Sequence, residues 1–585
     1  MKNFIKIKKH FPFLVSPGAI LISTAFIVGI AGGFGAVLFR WLLDLFKDIF
    51  FQKIPLLLSF MGDYAVIIIP AIGAVFFGPL IYFFAREAKG HGVPEVMEAM
   101  ELKGGRIRPA VGLVKSLASS LCIGSGGSVG REGPIVQIGS AIGSSIGQVL
   151  RFSDEKVKIL VASGAASGVA ATFNAPLGGV FFALEVILRD FSTRRLGGVV
   201  VAAVIASVIA KVFFGGDPSI PVPPYTLGNP WELLFYLGFG LLLVPVCILF
   251  IRSIYKFEDA FKKLPLPELS KPIIGGLLLG GIGFFYPQVF GVGYENIEHA
   301  VDASMPFKLM VLLIPLKILA VSLTLGSGGS GGIFAPSLVL GALTGGSFGY
   351  LLSHFFPQMG IEPGAYALVG MGAFFAGAAR APITSIVLLF ELTGDYLIIL
   401  PLMLTVAITT ITADRLHPES IYSLKLTRKG ISLRKKMRRD ILEHIKVHEI
   451  LKKDMASVPP STTMDNILPA LAQGSYRTLP VIDRDGTFYG IITVNQILDS
   501  LEHMDSLKHL IIAQDLAQTG PSVKDSDNLN EALNKFLESE SDVLPVIKKD
   551  KQKVIVTGII SRDDLLSAYS REVSLKREDQ METPL

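Results

Sequence analysis

Apolar residues run in long blocks through the first 424 positions of the chain and in short alternating groups beyond them. Segments such as 18–43, 64–85 and 232–255 exceed the roughly 20 apolar residues a helix needs to cross hydrocarbon. Others are short and broken: 159–188 offers two half-length helices joined at Asn174, Ala175 and Pro176. The pattern predicts a polytopic helical membrane domain over 1–424, in which full-length spans are only part of the fold. After about residue 425, charged residues alternate with short apolar strands and amphipathic helices, which predicts a separate α/β region in the cytoplasm.

Composition agrees with this division. Half of the 585 residues are hydrophobic and only 18% are charged, with a mean hydropathy of +0.54, which excludes an ordinary soluble protein. The opening MKNFIKIKKHF has the basic character of a signal peptide start, but the apolar run after it is too long and has no A-x-A site, so the expectation is a retained first helix. Basic residues gather at Lys2, Lys6, Lys8 and Lys9 and again in 425–439, a linker expected to run from 425 to 443. Contact with anionic membrane lipid is one use for them; the positive-inside rule is the simpler one and puts both termini in the cytoplasm. Cys122 and Cys247 both lie in apolar stretches, so no disulfide framework is drawn.

The membrane part repeats itself. GSGGSVGREGP at 124–134 has an echo in GSGGSGGIFAP at 326–336, 202 residues on, and Gly139, Gly143 and Gly147 fall on Gly341, Gly345 and Gly349. Farther along, APLGGVFFALE at 175–185 matches APITSIVLLFE at 381–391. The halves are expected at about 17–215 and 231–424. Paired halves with interrupted helices suggest a transporter whose substrate binds where the repeats face each other. Glycine lets backbone N–H groups approach a ligand, and each loop is expected to lead into a helix beginning at Pro134 or Pro336. The positive end of such a helix favours an anion, so the expected cargo is a small anion.

With these residues in hand the chain resembles the CLC family of chloride channels and proton-coupled chloride antiporters over nearly its whole length. GHGVPEV at 90–96, GREGP at 130–134, GGIFAP at 331–336 and Tyr422 in SIYSLKL match the family's filter motifs in order. The resemblance implies a homodimer with one anion pathway per subunit, two inverted halves of mostly tilted helices, and a place in the inner cell membrane. It implies a central anion site built by the N–H groups of Ile333 and Phe334, the Tyr422 hydroxyl and His91, and an outer site around Arg131 to Gly133. Glu132 matches the family's gating glutamate. Physics supports that role independently, because a carboxylate removed from water is more readily protonated. The plainer reading is a salt bridge to Arg131.

Two departures from the family pattern matter. His91 stands where many members have serine; it either supplies an N–H to the anion or turns away and leaves the work to Gly92 and Val93. Val186 stands where the family's antiporters carry an inner proton-accepting glutamate. Glu185 next to it has a repeat mate in Glu391, which favours a shared structural task over proton transfer. The favoured function is therefore passive, channel-like chloride conductance, with proton-coupled chloride antiport as the alternative.

Residues 444–502 and 509–571 form a second repeat, each unit read as strand, strand, helix, followed by a tail at 572–585. LPVI at 479–482 recurs at 544–547 and GIIT at 490–493 as GIIS at 558–561. They resemble a pair of CBS domains, which implies an adenine nucleotide (ATP, ADP or AMP) held by Thr493, Ser561 and Asp564. Gln496 replaces the aspartate expected in the first unit, leaving at most one well-formed site; a purely structural dimerisation module is the alternative. No phosphate-binding G-x-x-x-x-G-K-[ST] loop, catalytic triad or metal-spaced His/Cys cluster is present, so neither an enzyme nor a metal cofactor nor a nucleic-acid partner is expected. A CBS-linked divalent-cation transporter is the remaining rival, though it would need carboxylates where the repeat loops offer amides.

Overall fold

A computed structural model describes residues 17–215, 225, 229–431, 442, 443, 445–452, 457–473, 478–493, 497, 510–518, 520–538, 543–550 and 553–581. Contacts divide the chain into Met1–Lys429 and Gly430–Leu585. Lys2 to Lys9, most of the basic linker and Gln496 lie outside the described residues.

The first unit is helical, and among the described residues 8 helices are long and apolar enough to cross a membrane. It is built twice. In the first half α1 (Pro17–Asp48) is followed by α2 (Ala65–Pro79), the short α3 (Val93–Leu102), α4 (Pro109–Gly124), α5 (Glu132–Val149), α6 (Asp154–Phe173), α7 (Pro176–Phe182) and α8 (Thr193–Phe214). The second half repeats the order as α9 (Glu232–Lys263), α10 (Lys271–Phe285), α11 (Tyr294–Val301), α12 (Phe307–Ser327), α13 (Phe334–Phe355), α14 (Pro363–Ala379), α15 (Pro382–Thr393) and α16 (Ile399–Leu416). A last short helix, α17, covers Ser423–Arg428.

Local chemistry sets the breaks. α6 ends at Asn174 and α14 at Arg380, both in the left-handed region with φ of 55° and 58°, and each is followed by Ala-Pro opening the next helix. A left-handed cap followed by proline cannot continue a helix, which explains two half-length segments where one span would fit. The glycine faces do what their spacing predicts: a Cβ on Gly139 or Gly143 would sit 2.1 or 2.0 Å from the carbonyl oxygens of Gly164 and Leu160, and one on Gly341 or Gly345 would sit 2.2 or 1.9 Å from those of Gly370 and Tyr366. Only glycine allows α5 to lie this close on α6, and α13 on α14.

One expectation needs correction. α5 and α13 begin at Glu132 and Phe334, two residues before Pro134 and Pro336. Proline is tolerated there because no N–H of the first turn has an intrahelical acceptor anyway, and the shift moves Glu132 and Phe334 onto the helix ends themselves.

In the second unit each repeat has its own core: Val458, Ile467, Leu479, Val481 and Ile492 in one, Val447, Leu529, Phe536, Leu544, Val546 and Ile560 in the other. The strands β1 (Thr478–Ile482) and β2 (Phe488–Thr493) pair antiparallel; β3 (Val523–Lys524) runs parallel to β4 (Val543–Asp550), which pairs antiparallel with β5 (Lys553–Ser561). The strand, strand, helix reading is incomplete, since α18 (Met464–Gln473) and α19 (Leu529–Glu538) precede the hairpins, and α20 (Arg562–Met581) follows the second.

Candidate anion pathway

Four glycine-bearing loops are bonded to one another in the helical unit. Gly130 and Gly332 exchange N–H···O bonds of 2.7 and 2.6 Å, binding the two repeat loops to each other. Gly90 N–H donates to the Gly329 carbonyl at 3.0 Å, and in the other half Gly291 N–H donates to the Gly126 carbonyl at 3.3 Å. Two buried lysines, 202 residues apart, complete the symmetry. Lys115 Nζ donates to the Ala88 and Gly90 carbonyls at 3.0 and 2.7 Å, and Lys317 Nζ to those of Val289 and Gly291, both at 3.1 Å. Lys115 and Lys317 thus tie down the loops that precede α3 and α11.

Several of the residues singled out from sequence lie beside these loops: a Cβ on Gly133 would meet His91 O at 2.2 Å and Gly332 Cα at 2.9 Å. Ile333 and Phe334, 2% and 3% exposed, stand at the start of α13, where first-turn N–H groups have no intrahelical acceptor. The Phe334 ring packs between Phe173 and Phe375, with centroids 5.1 and 4.2 Å away. His91 is buried, its ring centroid 6.2 Å from that of Tyr422 and 6.4 Å from that of Tyr255. Its Nδ1 has no hydrogen-bond partner among the described residues. Gly92, at φ 86°, and Val93 begin α3 beside it.

Glu132 is 2% exposed. Its Oε2 accepts the Ala335 N–H at 3.3 Å and its Oε1 the Tyr294 hydroxyl at 2.8 Å. No Arg131–Glu132 ion pair is found among the described residues; the Arg131 guanidinium lies 5.2 Å from the centre of the Tyr294 ring. The carboxylate therefore faces the helix start of the opposite repeat. Tyr294 and Ala335 were not singled out from sequence. GVG at 291–293, the echo of GHG at 90–92, was the signal that would have marked Tyr294 as the mate of Val93.

Separate cavities approach this centre. One of about 540 Å³ is lined by His91 and by eight basic and four acidic side chains, Lys89, Lys425 and Glu95 among them. The other, about 790 Å³, is lined by Arg131 and Tyr294 together with Arg40, Lys47, Asp44, Glu295 and His299. They share no lining residue, and Glu132 is held by a group from the second. A basic excess at both mouths suits an anion.

Val186, 5% exposed, lies in the π-helical turn after α7. Its neighbour Glu185 accepts the N–H groups of Ile383 and Thr384 at 3.2 and 2.7 Å and the Thr384 hydroxyl at 2.6 Å. Glu391 returns the favour, accepting the N–H groups of Leu177 and Gly178 at 2.9 and 2.7 Å. Each glutamate caps the half-helix that carries the other, the shared structural task the repeat suggests. In the second unit Ser561 donates to Asp564 Oδ2 at 2.7 Å, and Lys452 pairs with the same carboxylate at 2.7 Å; Thr493 ends β2.

Comparison with known proteins fits this geometry. Residues 72–414 match the family model described as voltage gated chloride channel. The chain belongs to that family. Residues 447–503 and 513–571 match the CBS domain model, so a CBS pair accompanies the CLC unit. Relatives include the "H(+)/Cl(-) exchange transporter ClcA" of Vibrio parahaemolyticus, 35% identical over 429 residues that span 71% of this chain and 90% of that one. A "putative chloride channel protein ClcB-like" of Ralstonia nicotianae is 35% identical over 370 residues, 62% of this chain and 86% of its own. Among solved structures, a slow cyanobacterial Cl−/H+ antiporter superposes with a TM-score of 0.64 at 26% identity, covering 72% of this chain and all of the other. A eukaryotic CLC transporter, at 22% identity, shares the fold with a TM-score of 0.62 over 93% of this chain and 97% of its own. This CLC chain is thus a multi-pass membrane protein.

Proposed function

We propose that the protein carries chloride or a similarly small anion across a membrane through the centre of the helical unit, with Glu132 as a removable plug. The observation that carries this reading is the seat of the Glu132 carboxylate on the Ala335 N–H at the start of α13. That is where a mobile anion would sit, and a carboxylate that occupies it must leave, by taking up a proton, for an anion to enter. The central site would use the N–H groups of Ile333 and Phe334, the Tyr422 hydroxyl and His91, with Gly92 and Val93 beside them; the outer site would use backbone around Arg131 and Gly133. The function is transport and involves no catalytic residues.

Passive conductance is the leading mechanism, because Val186 removes the inner carboxylate and Glu185 is committed to capping α15. Proton-coupled chloride exchange is a second reading, favoured by the names of the Vibrio relatives. Chloride efflux from proteoliposomes, read alongside proton movement, tests both. Rapid efflux without uphill proton movement supports conductance, uphill proton movement establishes exchange, and magnesium flux without anion flux would reject the whole reading. Glu132→Gln is expected to raise efflux and flatten its dependence on pH.

The assembly is proposed as a homodimer in the inner cell membrane, both termini in the cytoplasm, in contact with membrane lipid. For the CBS pair a single adenine nucleotide (ATP, ADP or AMP) is proposed near Ser561 and Asp564, with Thr493 as the weaker counterpart. Its binding would have to part Lys452 from Asp564. Calorimetric titration of the full chain with ATP and AMP tests this, and no heat at millimolar nucleotide would leave a structural module.

A further inference from the structure

The side chain that holds Glu132 most closely is a tyrosine that no motif brought forward. Tyr294 Oη stands 2.8 Å from Glu132 Oε1, whereas the backbone donor at Ala335 is 3.3 Å from Oε2. A hydroxyl donating to a charged oxygen makes a hydrogen bond roughly twice as strong as one between neutral groups. The bond therefore weakens when Glu132 takes up a proton, which is the behaviour a release mechanism needs.

The backbone that carries the hydroxyl is itself fixed. Tyr294 opens α11 directly after Gly293, whose φ of 89° turns the chain sharply into the helix. The loop ahead of it is fixed by the Lys317 bonds to Val289 and Gly291, by Asn296 Nδ2 donating to Gln288 O at 2.8 Å, and by Gly291 N–H donating to Gly126. Gly126 belongs to the loop that leads into Glu132, so the loop before the tyrosine is tied to the loop before the glutamate. Of the charged and titratable groups around them, Arg131 lies against the tyrosine ring. Arg40 and Asp44 of α1, with Glu295 and His299 of α11, line the adjoining cavity.

The repeat sharpens the point. The contact crosses between the halves, Glu132 belonging to the first and Tyr294 to the second, and the repeat-related pair, Phe334 in the second and Val93 in the first, has neither a carboxylate nor a hydroxyl. Donor and carboxylate thus occur together in one of the two repeat-related pairs and are both missing from the other.

We propose that Tyr294 is a latch for the Glu132 gate: its hydroxyl holds the carboxylate in the anion path, and loss of that hydrogen bond lowers the barrier to opening. Tyr294 is a positioning residue acting through Glu132, and its role rests on the reading of Glu132 as the gate. Chloride efflux from proteoliposomes carrying the full chain, measured from about pH 4 to about pH 8, tests it with Tyr294→Phe, Glu132→Gln and the double variant. Removing the donor weakens the charged form of Glu132 more than the protonated one. Tyr294→Phe is therefore expected to raise efflux at neutral pH about tenfold and to move the pH of half-activation upward by about one unit, the worth of one charge-assisted hydrogen bond. In the Glu132→Gln background the same substitution should change efflux by less than about twofold, as a cycle of uncoupled changes requires. An unshifted pH profile in Tyr294→Phe, or an equal effect in both backgrounds, overturns the latch alone. A native pH profile in Glu132→Gln overturns the gate and the latch with it. Should the phenylalanine variant fail to fold, Tyr294→Leu carries the same expectations.

Discussion

The carboxylate of Glu185 accepts the backbone N–H and the hydroxyl of Thr384, at 2.7 and 2.6 Å. It thereby closes the start of α15, just as Glu391 closes the start of α7. In a membrane interior an uncapped helix start leaves amides that water cannot reach. Glu185→Ala and Glu391→Ala are each expected to cost about 1–3 kcal/mol, the range for losing a partner of buried donors. Both should lower the thermal unfolding temperature in detergent by similar amounts while leaving the ratio of proton to anion flux as it was. Unchanged stability with altered proton flux in Glu185→Ala would return Glu185 to the proton route.

The close approach of α5 to α6 and of α13 to α14 makes a second expectation. Gly143→Ala would set a methyl carbon 2.0 Å from the Leu160 oxygen, and Gly345→Ala one 1.9 Å from the Tyr366 oxygen. Backbone cannot yield as a flexible side chain can, so each should cost about 1–3 kcal/mol or more and broaden the size-exclusion peak. Gly281, in α10, has nothing within 4 Å of such a carbon, and Gly281→Ala should leave that peak unchanged. Equal behaviour of all three variants would argue against helix contact as the reason for the glycines.

Both the repeat and the filter loops were legible in the sequence because glycine and proline leave a record independent of neighbours. Glu185 and Glu391 could be paired by offset, and their use followed once the helix starts were placed. Tyr294 was harder to see: as one tyrosine in an apolar chain it gains meaning only from a contact 162 residues away in sequence. Lys115 and Lys317 are similar cases, since a lysine in a spanning helix says nothing about which carbonyls it reaches. The position of Pro134 was misjudged for a local reason, the first turn of a helix being open to proline at more than one place.

Asp564 and Ser561 form a reciprocal cap at the start of α20: Ser561 N–H donates to Asp564 Oδ2 at 3.2 Å, and Asp564 N–H donates to Ser561 Oγ at 3.1 Å. Partial burial pushes the Asp564 carboxyl up, but the bonds from Lys452 and Ser561 outweigh it and hold the group below its ordinary value. A carboxyl depressed on folding contributes stability that is complete above its unfolded value of about 3.9 and is lost as the pH falls through the folded value. Hydrogen exchange at the amides of 562–566 in the full chain should therefore be steady in its protection from pH 7 down to about 4 and lose protection below that. Asp564→Ala should cost about 0.5–2 kcal/mol of local protection at neutral pH and remove the acid-dependent part. Persistence of that part in the variant would assign it to another carboxyl.

His91 offers the sharpest test of anion preference. Tyr255 spends its hydroxyl proton on the Ile421 carbonyl at 2.6 Å, so its oxygen can serve His91 Nε2, 3.5 Å away, only as an acceptor. That contact is too long to fix the tautomer. A neutral ring whose proton is on Nδ1 would leave a buried N–H without an acceptor among the described residues, and a dehydrated anion between His91 and Tyr422 would satisfy it. Such a donor contributes one hydrogen bond, so His91→Ala should weaken chloride occupancy about threefold to tenfold. His91→Ser should recover most of that loss while changing the preference between chloride and nitrate, because a short hydroxyl replaces a broad ring. Efflux measured with each anion in turn decides the matter: a ratio equal to the native one in both variants would mean that the ring packs against Tyr422 without touching the anion, leaving Gly92 and Val93 as the donors on that side.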